Sequence, residues 1–328
     1  MGIGGIFRGL RTFPFVLDLA HDVRELCPRA LSMNYTNPMG ILMEALYTAR
    51  PEVQSVGLCH SVPYTIRDIA SYIGVPHAEI VFECAGINHV AWMTSLEVGG
   101  EGAYPRLRAA MEDPEIYARD KVRFELMRRF GYFVTESSEH NAEYTPYFLR
   151  DDELIERFDV PVDEYVRRSE RNLLRYAETR HKLLEGGTLP LVRSVEYGSL
   201  IIHSMVTGLS RTVYGNVENT ALIGNLPQGC CVEVPVLVDA AGLRPCHVDD
   251  LPPQLAAACT PHTAVQNLTV RAALEGKREH IYHAAMLDRH ASSVLSLDEI
   301  AAVVDELLEA HGEALPEGLG MSGTRAIR

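Results

Sequence analysis

Three short polar islands, Asn34-Tyr35-Thr36-Asn37-Pro38, Cys59-His60-Ser61 and Asn88-His89, each follow directly on a run of β-forming residues. Open α/β sheets bind ligands at the C-terminal ends of their strands, so folding is expected to gather the three islands along one edge. Each residue alone also has a plainer reading. Asn37 can cap a helix or form a turn, Cys59 can be a small core residue, and His89 can be a hydrogen-bonded core histidine. Together, Cys59 and His89 offer a soft thiolate and an imidazole to a divalent cation, leaving other positions open for substrate oxygens. A fourth island, Thr135 to Tyr144, packs Glu136, Glu139, His140, Glu143 and Tyr144 into ten residues. That density suits acid and base groups whose strengths are set apart by proximity and burial. The apolar run Gly131 to Val134 before it and the aromatic run Tyr144 to Phe148 after it argue against a solvated helix face. A fifth, Asn225 to Pro235, reads as a tight loop entering a buried strand, with Cys230 and Cys231 as packing residues.

The elements that must position these groups can be read from hydrophobic period and turn chemistry. The first third alternates helix over 15–25, strand over 30–34, helix over 38–49, strand over 54–58, helix over 64–73 and strands over 79–84 and 92–98. This alternation predicts a parallel α/β sheet. Helical spacing dominates 103–182, a β-rich section spans 212–248, and long helices are expected over 253–274, 279–287 and 297–310, with a frayed tail after Gly312. Gly2, Gly4, Gly5 and Gly9 imitate part of a dinucleotide-binding fingerprint, but no strand precedes them, and they read as a loop before the helix at Phe15.

Composition narrows the class of partner. The 328 residues are 47% apolar and 23% charged, as in globular domains, and the net charge of −14 disfavours nucleic acid and anionic membrane surfaces. The seven scattered cysteines form no C-x-x-C pair and fit a reducing cytoplasm. Nothing near Met1 reads as a signal peptide, and no apolar run reaches membrane-spanning length. The sequon at Asn267 would then be idle.

In this order, the islands resemble family 4 glycoside hydrolases of the α-galactosidase (melibiase) type. The matching runs are 2–18, 34–40, 56–61, 84–89, 131–144, 215–238, 250–256 and 282–298, which span nearly the whole chain. The resemblance implies an incomplete doubly wound parallel sheet, Rossmann-like and related to lactate and malate dehydrogenases, followed by an α+β C-terminal catalytic domain. It divides the chain into 1–98 and 99–328. It implies hydrolysis of α-galactosides with NAD and Mn2+. In that chemistry the sugar C3 hydroxyl is oxidised, a base removes the acidified C2 proton, the aglycone is eliminated, water adds, and the ketone is reduced back.

Carried over by position, Cys59 and His89 match metal ligands, and Asn37 and Asn88 match sugar-binding asparagines. Asn37 also matches the cofactor-side asparagine of the T-N-P turn in the related dehydrogenases. His60 stands where phospho-sugar members carry an aspartate acid, which points to leaving-group departure. The C2 base falls to Tyr144, with Glu139 and His140 as rivals. The family's first strand and glycine fingerprint precede the segment matched here, so on the order of one hundred residues of the nucleotide fold are expected to be missing. That would leave the strand over 30–34 as an exposed edge. Relatives assemble as dimers or tetramers, so a homo-oligomer is expected. The alternatives are a noncatalytic remnant that binds sugar or metal, or another specificity within the family, α-glucosidase or α-galacturonidase.

Overall fold

The computed structural model describes residues 2–192 and 194–320. A helix, α1 (Gly2–Leu26), leads into a β-α-β-α unit of β1 (Ser32–Asn34), α2 (Met39–Ala49), β2 (Ser55–Gly57) and α3 (Ser61–Ile73). The hairpin β3 (Ile80–Ile87) and β4 (Val90–Val98) follows, with the short β5 (Glu101–Gly102). Six helices come next: α4 (Tyr104–Ala110), α5 (Pro114–Ala118), α6 (Lys121–Phe130), α7 (Ser138–Tyr144), α8 (Asp152–Phe158) and α9 (Glu164–Leu184). After α10 (Gly198–Thr207) the strands β6 (Arg211–Glu218), β7 (Cys231–Asp239) and β8 (Gly242–Pro245) enter, and α11 (Pro253–Glu275), α12 (Glu279–Leu287), α13 (Ala291–Val294) and α14 (Leu297–His311) complete the described chain.

The eight strands form one mixed sheet in the order β1-β2-β6-β7-β3-β4-β5, with β8 on β7. Only β1 and β2 pair in parallel, Asn34 opposite Gly57, and β1 lies at the sheet's edge. The expectation that residues 79–84 continue a parallel sheet is corrected. That strand is longer, and it pairs antiparallel with β4 and with β7. Its partner β4 follows after a two-residue turn, too short for the crossover that parallel strands need. The division expected after Val98 falls in the turn between β4 and β5, and the strands of 211–239 lie between β2 and β3 in the same sheet.

The loop expected over the first glycines is also corrected, because the helix begins at Gly2. Ile3, Ile6, Phe7, Leu10 and Phe13 recur at helical spacing and are buried, the first four in one cluster with Val265, Ile281, Ile300 and Val304. This burial outweighs the poor helix propensity of glycine. Gly9 eases the close approach of α2, since a Cβ there would stand 3.1 Å from Ile41 and push its side chain aside. Other ends follow local signals: Gly74 closes α3 in a left-handed conformation, and Ser296 with Glu299 forms a capping box on α14. Val213, Val232, Val234 and Val236 form the centre of the largest core cluster with Trp92. Among the described residues no helix is long and apolar enough to cross a membrane. The fraying expected after Gly312 is corrected as far as Gly320, because Gly312–Ala314 form a 3-10 turn and Leu315 and Leu319 are buried in the cluster of α1, α12 and α14, while the remainder lies outside the described residues.

One buried group couples stability to pH. Glu44 on α2 is 2% exposed, and its carboxylate accepts a 2.7 Å bond from Asn267 of α11 while its other oxygen has no partner. Burial raises its pKa to about 7, against the pull of Asn267. The folded state therefore holds this proton more tightly than the unfolded chain. Its contribution is full below the unfolded pKa and is lost as pH rises through about 7. Urea unfolding should show wild type losing about 2.5 kcal/mol between pH 5 and pH 8 relative to Glu44→Gln, which keeps the acceptor without the charge. Equal losses in both proteins would remove Glu44 as the cause.

Candidate metal centre

The site is built on a row that runs across the sheet. Gly57 on β2 pairs with Asn216 on β6, Asn216 with Glu233 on β7, Glu233 with Gly86 on β3, and Gly86 with Ala91 on β4. Both glycines are required by contact. A Cβ on Gly57 would meet Met39 Sδ at 2.5 Å, and one on Gly86 would meet the Val90 carbonyl oxygen at 2.6 Å. Cys59 follows Gly57 by two positions and His89 follows Gly86 by three, so the row places both residues.

Cys59 Sγ lies 3.6 Å from His89 Nε2, and His89 Nε2 lies 3.7 Å from a Glu136 carboxylate oxygen. All the ligand atoms that these three residues offer stand within 4.8 Å of one another. A thiolate, an imidazole and a carboxylate at this spacing suit a transition-series divalent cation. His89 occupies the two-residue turn between β3 and β4 at φ 67°, and Glu136 has φ 71°. Only five non-glycine residues among those described have left-handed φ, and two of them belong to this triad. Such backbone strain persists where surrounding structure holds a side chain to a task.

Around the triad, polar atoms are buried without partners. Asn88 Nδ2, His89 Nδ1 and Asn216 Oδ1 have none, and neither oxygen of the fully buried Glu233 has a hydrogen bond of good geometry. Buried polar groups are rarely left so, and a cluster of them marks a place built to receive ions, water or a polar ligand. Burial first, and then the nearby Glu136 carboxylate, push the Cys59 thiol above its ordinary pKa. Burial and the same carboxylate push Tyr144 up as well.

Tyr144 and His140 close one wall. The His89 ring meets His140 edge-on at 5.3 Å and Tyr144 at 5.6 Å, and Tyr144 in turn contacts His262 at 5.3 Å. His140 Nδ1 lies 3.9 Å from Glu136 and 3.2 Å from Ser137 Oγ. His262 is buried on α11, and desolvation lowers its pKa to about 3, so it stays neutral. Glu139, one helical step away on α7, turns instead to Arg168 at 3.0 Å. His60 stands at the start of α3, about half exposed, 3.3 Å from Glu196. Asn37 precedes the cis Asn37–Pro38 bond and accepts from the Met39 amide at 3.1 Å, a local turn contact, while remaining exposed. Asn88 is buried beside His89.

Of the residues singled out in the sequence, Cys59, Asn88, His89, His140 and Tyr144 thus meet at one place. His60 and Asn37 lie outside the triad, and Glu139 faces away. Sequence reasoning did not single out Glu136 from its two neighbouring carboxylates, nor Glu233, Glu196 and His262. A glutamate inside a valine-rich strand, as in Val232-Glu233-Val234, was the one readable sign of Glu233.

The raised thiol gives this site a pH signature. A cation that binds Cys59 as thiolate must displace its proton, so affinity should climb from about pH 6 to about pH 9. Calorimetric titration with Mn2+ checks this. Cys59→Ala should weaken binding by roughly 100-fold or more and flatten the pH dependence. An unchanged affinity would place the cation elsewhere.

Comparison with known proteins places this architecture. The family 4 glycosyl hydrolase model matches residues 1–75, and that of the family 4 glycosyl hydrolase C-terminal domain matches residues 84–291. The chain is 45% identical over 322 residues to an α-galactosidase of Bacillus subtilis, covering 97% of this chain and 74% of that protein. The fold is shared with the crystal structure of LplD from Bacillus subtilis, with a TM-score of 0.84 and 22% identity over 94% of this chain and 75% of that one. It is shared too with a 6-phospho-α-glucosidase from gut microorganisms in complex with NAD and Mn2+, with a TM-score of 0.79 and 19% identity, covering 97% of this chain and 75% of that one. A sheet that sets a cysteine and a histidine side by side, matched along most of its length by both family models, makes this chain a member of glycoside hydrolase family 4.

Proposed function

We propose that the chain carries the metal- and sugar-binding centre of an α-galactosidase that works with Mn2+ and NAD. The observation that carries this reading is the convergence of Cys59, His89 and Glu136 within 4.8 Å, walled by Tyr144. Identity of 45% to an α-galactosidase supports the choice of sugar. The seven unpaired cysteines suit a reducing compartment, and we place the protein in the cytoplasm.

The donor set fits a divalent cation, which when bound would polarise sugar oxygens as a Lewis acid. Cys59, His89 and Glu136 would hold it, and Asn88, whose Nδ2 has no partner, would donate to a sugar hydroxyl. Tyr144 is the group best placed to take a proton from the sugar, since its ring adjoins His89 and a cation beside it would bring its raised pKa down. His140 is the second choice for that role and Glu139 the third, because Arg168 engages it. His60, on the exposed rim with Glu196, would assist departure of the leaving group. Asn37 would meet the sugar and the nicotinamide end of the cofactor.

NAD is assigned by likeness to the relative in complex with NAD and Mn2+. Among the described residues no glycine-rich turn joins a strand to a helix to receive its pyrophosphate, and Gly2, Gly4, Gly5 and Gly9 all lie inside α1. Saturable NAD binding by calorimetry is therefore the direct test of that assignment.

Turnover of p-nitrophenyl α-galactoside with Mn2+, NAD and a reducing agent tests the whole reading. Tyr144→Phe should lower kcat by roughly 10²–10⁴-fold and leave Mn2+ affinity unchanged. Preference for an α-glucoside or α-galacturonide would move the specificity within the family. Sugar binding without NAD affinity or turnover would leave a noncatalytic relative.

A further inference from the structure

Glu136 reaches the triad through a left-handed backbone, φ 71°, a region that a residue with a Cβ occupies only where its surroundings hold it there. The chain is pinned on both sides of it. Before it, the Met93 amide donates to the Phe133 carbonyl at 2.9 Å and the Thr135 amide donates to the Ala91 carbonyl at 2.8 Å, so the approach is laid along β4. After it, Ser138 Oγ donates to the buried Asp120 and accepts from the Val122 and Arg123 amides at 3.1 and 3.3 Å, which seats the start of α7 on the start of α6. Asn141 joins the two sides. It is fully buried, and its Nδ2 donates to the Thr135 carbonyl at 2.8 Å and to the Ser137 carbonyl at 3.0 Å, the residues directly before and after Glu136. Its Oδ1 has no partner. Asparagine is a poor helix former and a buried carbonyl without a donor is destabilising, so the stability of α7 alone does not account for this side chain. One nitrogen with two N–H groups serves both carbonyls at once. An aspartate would set oxygens against them, and an apolar side chain would leave them without a donor.

We propose that Asn141 is a positioning residue, whose two bonds hold Glu136 in the left-handed conformation that aims its carboxylate at Cys59 and His89. Releasing the flanking carbonyls frees the peptide planes on either side of Glu136, and a return to negative φ would re-aim its side chain away from the other two ligands. This positioning rests on the reading of Glu136 as a metal ligand and acts on that ligand alone. The side-chain hydrogen bonds of Asn141 end at Thr135 and Ser137 and do not reach the segments that carry Cys59 and His89. A merely structural role for the same bonds, closing the first turn of α7, would act on the stability of the chain and not on one ligand in particular.

A double-substitution cycle read by the Mn2+ affinity of the full chain separates the two roles. Asn141→Leu, close to the same size, should weaken Mn2+ binding by roughly 10–100-fold, and Glu136→Gln should weaken it by a similar factor. The double variant should bind no more than about twofold more weakly than Glu136→Gln alone, because a residue that acts only through Glu136 then has nothing left to position. With Co2+ in place of Mn2+, the thiolate-to-cobalt absorption should persist in Asn141→Leu while the weaker visible bands shift, the signature of a centre that keeps Cys59 and loses a carboxylate. Asn141→Ser, which crowds nothing, should repeat both results if the leucine variant does not fold. Asn141 variants with wild-type affinity, an effect that returns in full in the Glu136→Gln background, or loss of the thiolate absorption as well would each overturn the proposal. Wild-type affinity in Glu136→Gln beside weakened binding in Cys59→Ala would have a different meaning, since it would remove Glu136 from the metal and the positioning with it.

Discussion

A thiol, an imidazole and a carboxylate held within 4.8 Å of one another, in a place that excludes most water, is an arrangement that costs free energy until a cation enters it. The rest of the structure can be understood as the means of holding it. Burial, and then the carboxylate of Glu136, raise the pKa of the neighbouring thiol and of Tyr144, and a bound positive charge would oppose both shifts. The strained backbone at His89 and Glu136, the two close-packed glycines in the row across the sheet, and the unpartnered Glu233 below it all lie within a few residues of that triad. Packing elsewhere, in the cluster that joins the valines of β6 and β7 with Trp92, supplies stability that offsets this cost.

How far the sequence spoke depended on the kind of interaction involved. The helix over 279–287 begins and ends where its hydrophobic period places it, without a side-chain cap at its start, because that period is a local signal. Cys59, Asn88 and His89 were visible because turn residues after a strand are conspicuous. The start of α1 was hidden, since glycines argue against helix and only the packing of Ile6, Phe7 and Leu10 on distant helices overrides them. The direction of β3 was hidden for a similar reason. An apolar run between polar turns reads alike in parallel and antiparallel pairing, and the short Asn88-His89 connection was the clue. Glu136 could not be separated from Glu139 and Glu143 by pattern, because what distinguishes it is a left-handed φ and the direction it gives the side chain.

The triad also explains why polar and apolar surfaces lie where they do around the sheet. One face of β7 carries Val232, Val234 and Val236 into one core cluster, while of the alternate positions Cys231 enters the apolar cluster of Val16, Met39 and Leu42 and Glu233 lies near Cys59, His89 and Glu136. Strand alternation thus sets the Glu233 carboxyl apart from the valines beside it without any change of element. Tyr144 and His262 continue the division at the wall, with one ring toward the polar chamber and the other in the apolar interior of α11.

The row Gly57–Asn216–Glu233–Gly86 has a consequence for how such a gene can be divided or exchanged. Its outer members belong to the first quarter or so of the chain and its inner members to the part after residue 210, so neither stretch holds a finished floor. A contiguous piece grafted onto another scaffold would bring ligands without their support, or support without ligands. Recombination between relatives should therefore preserve the centre only when both stretches descend from parents whose side chains agree across the row, which makes the two inheritances one.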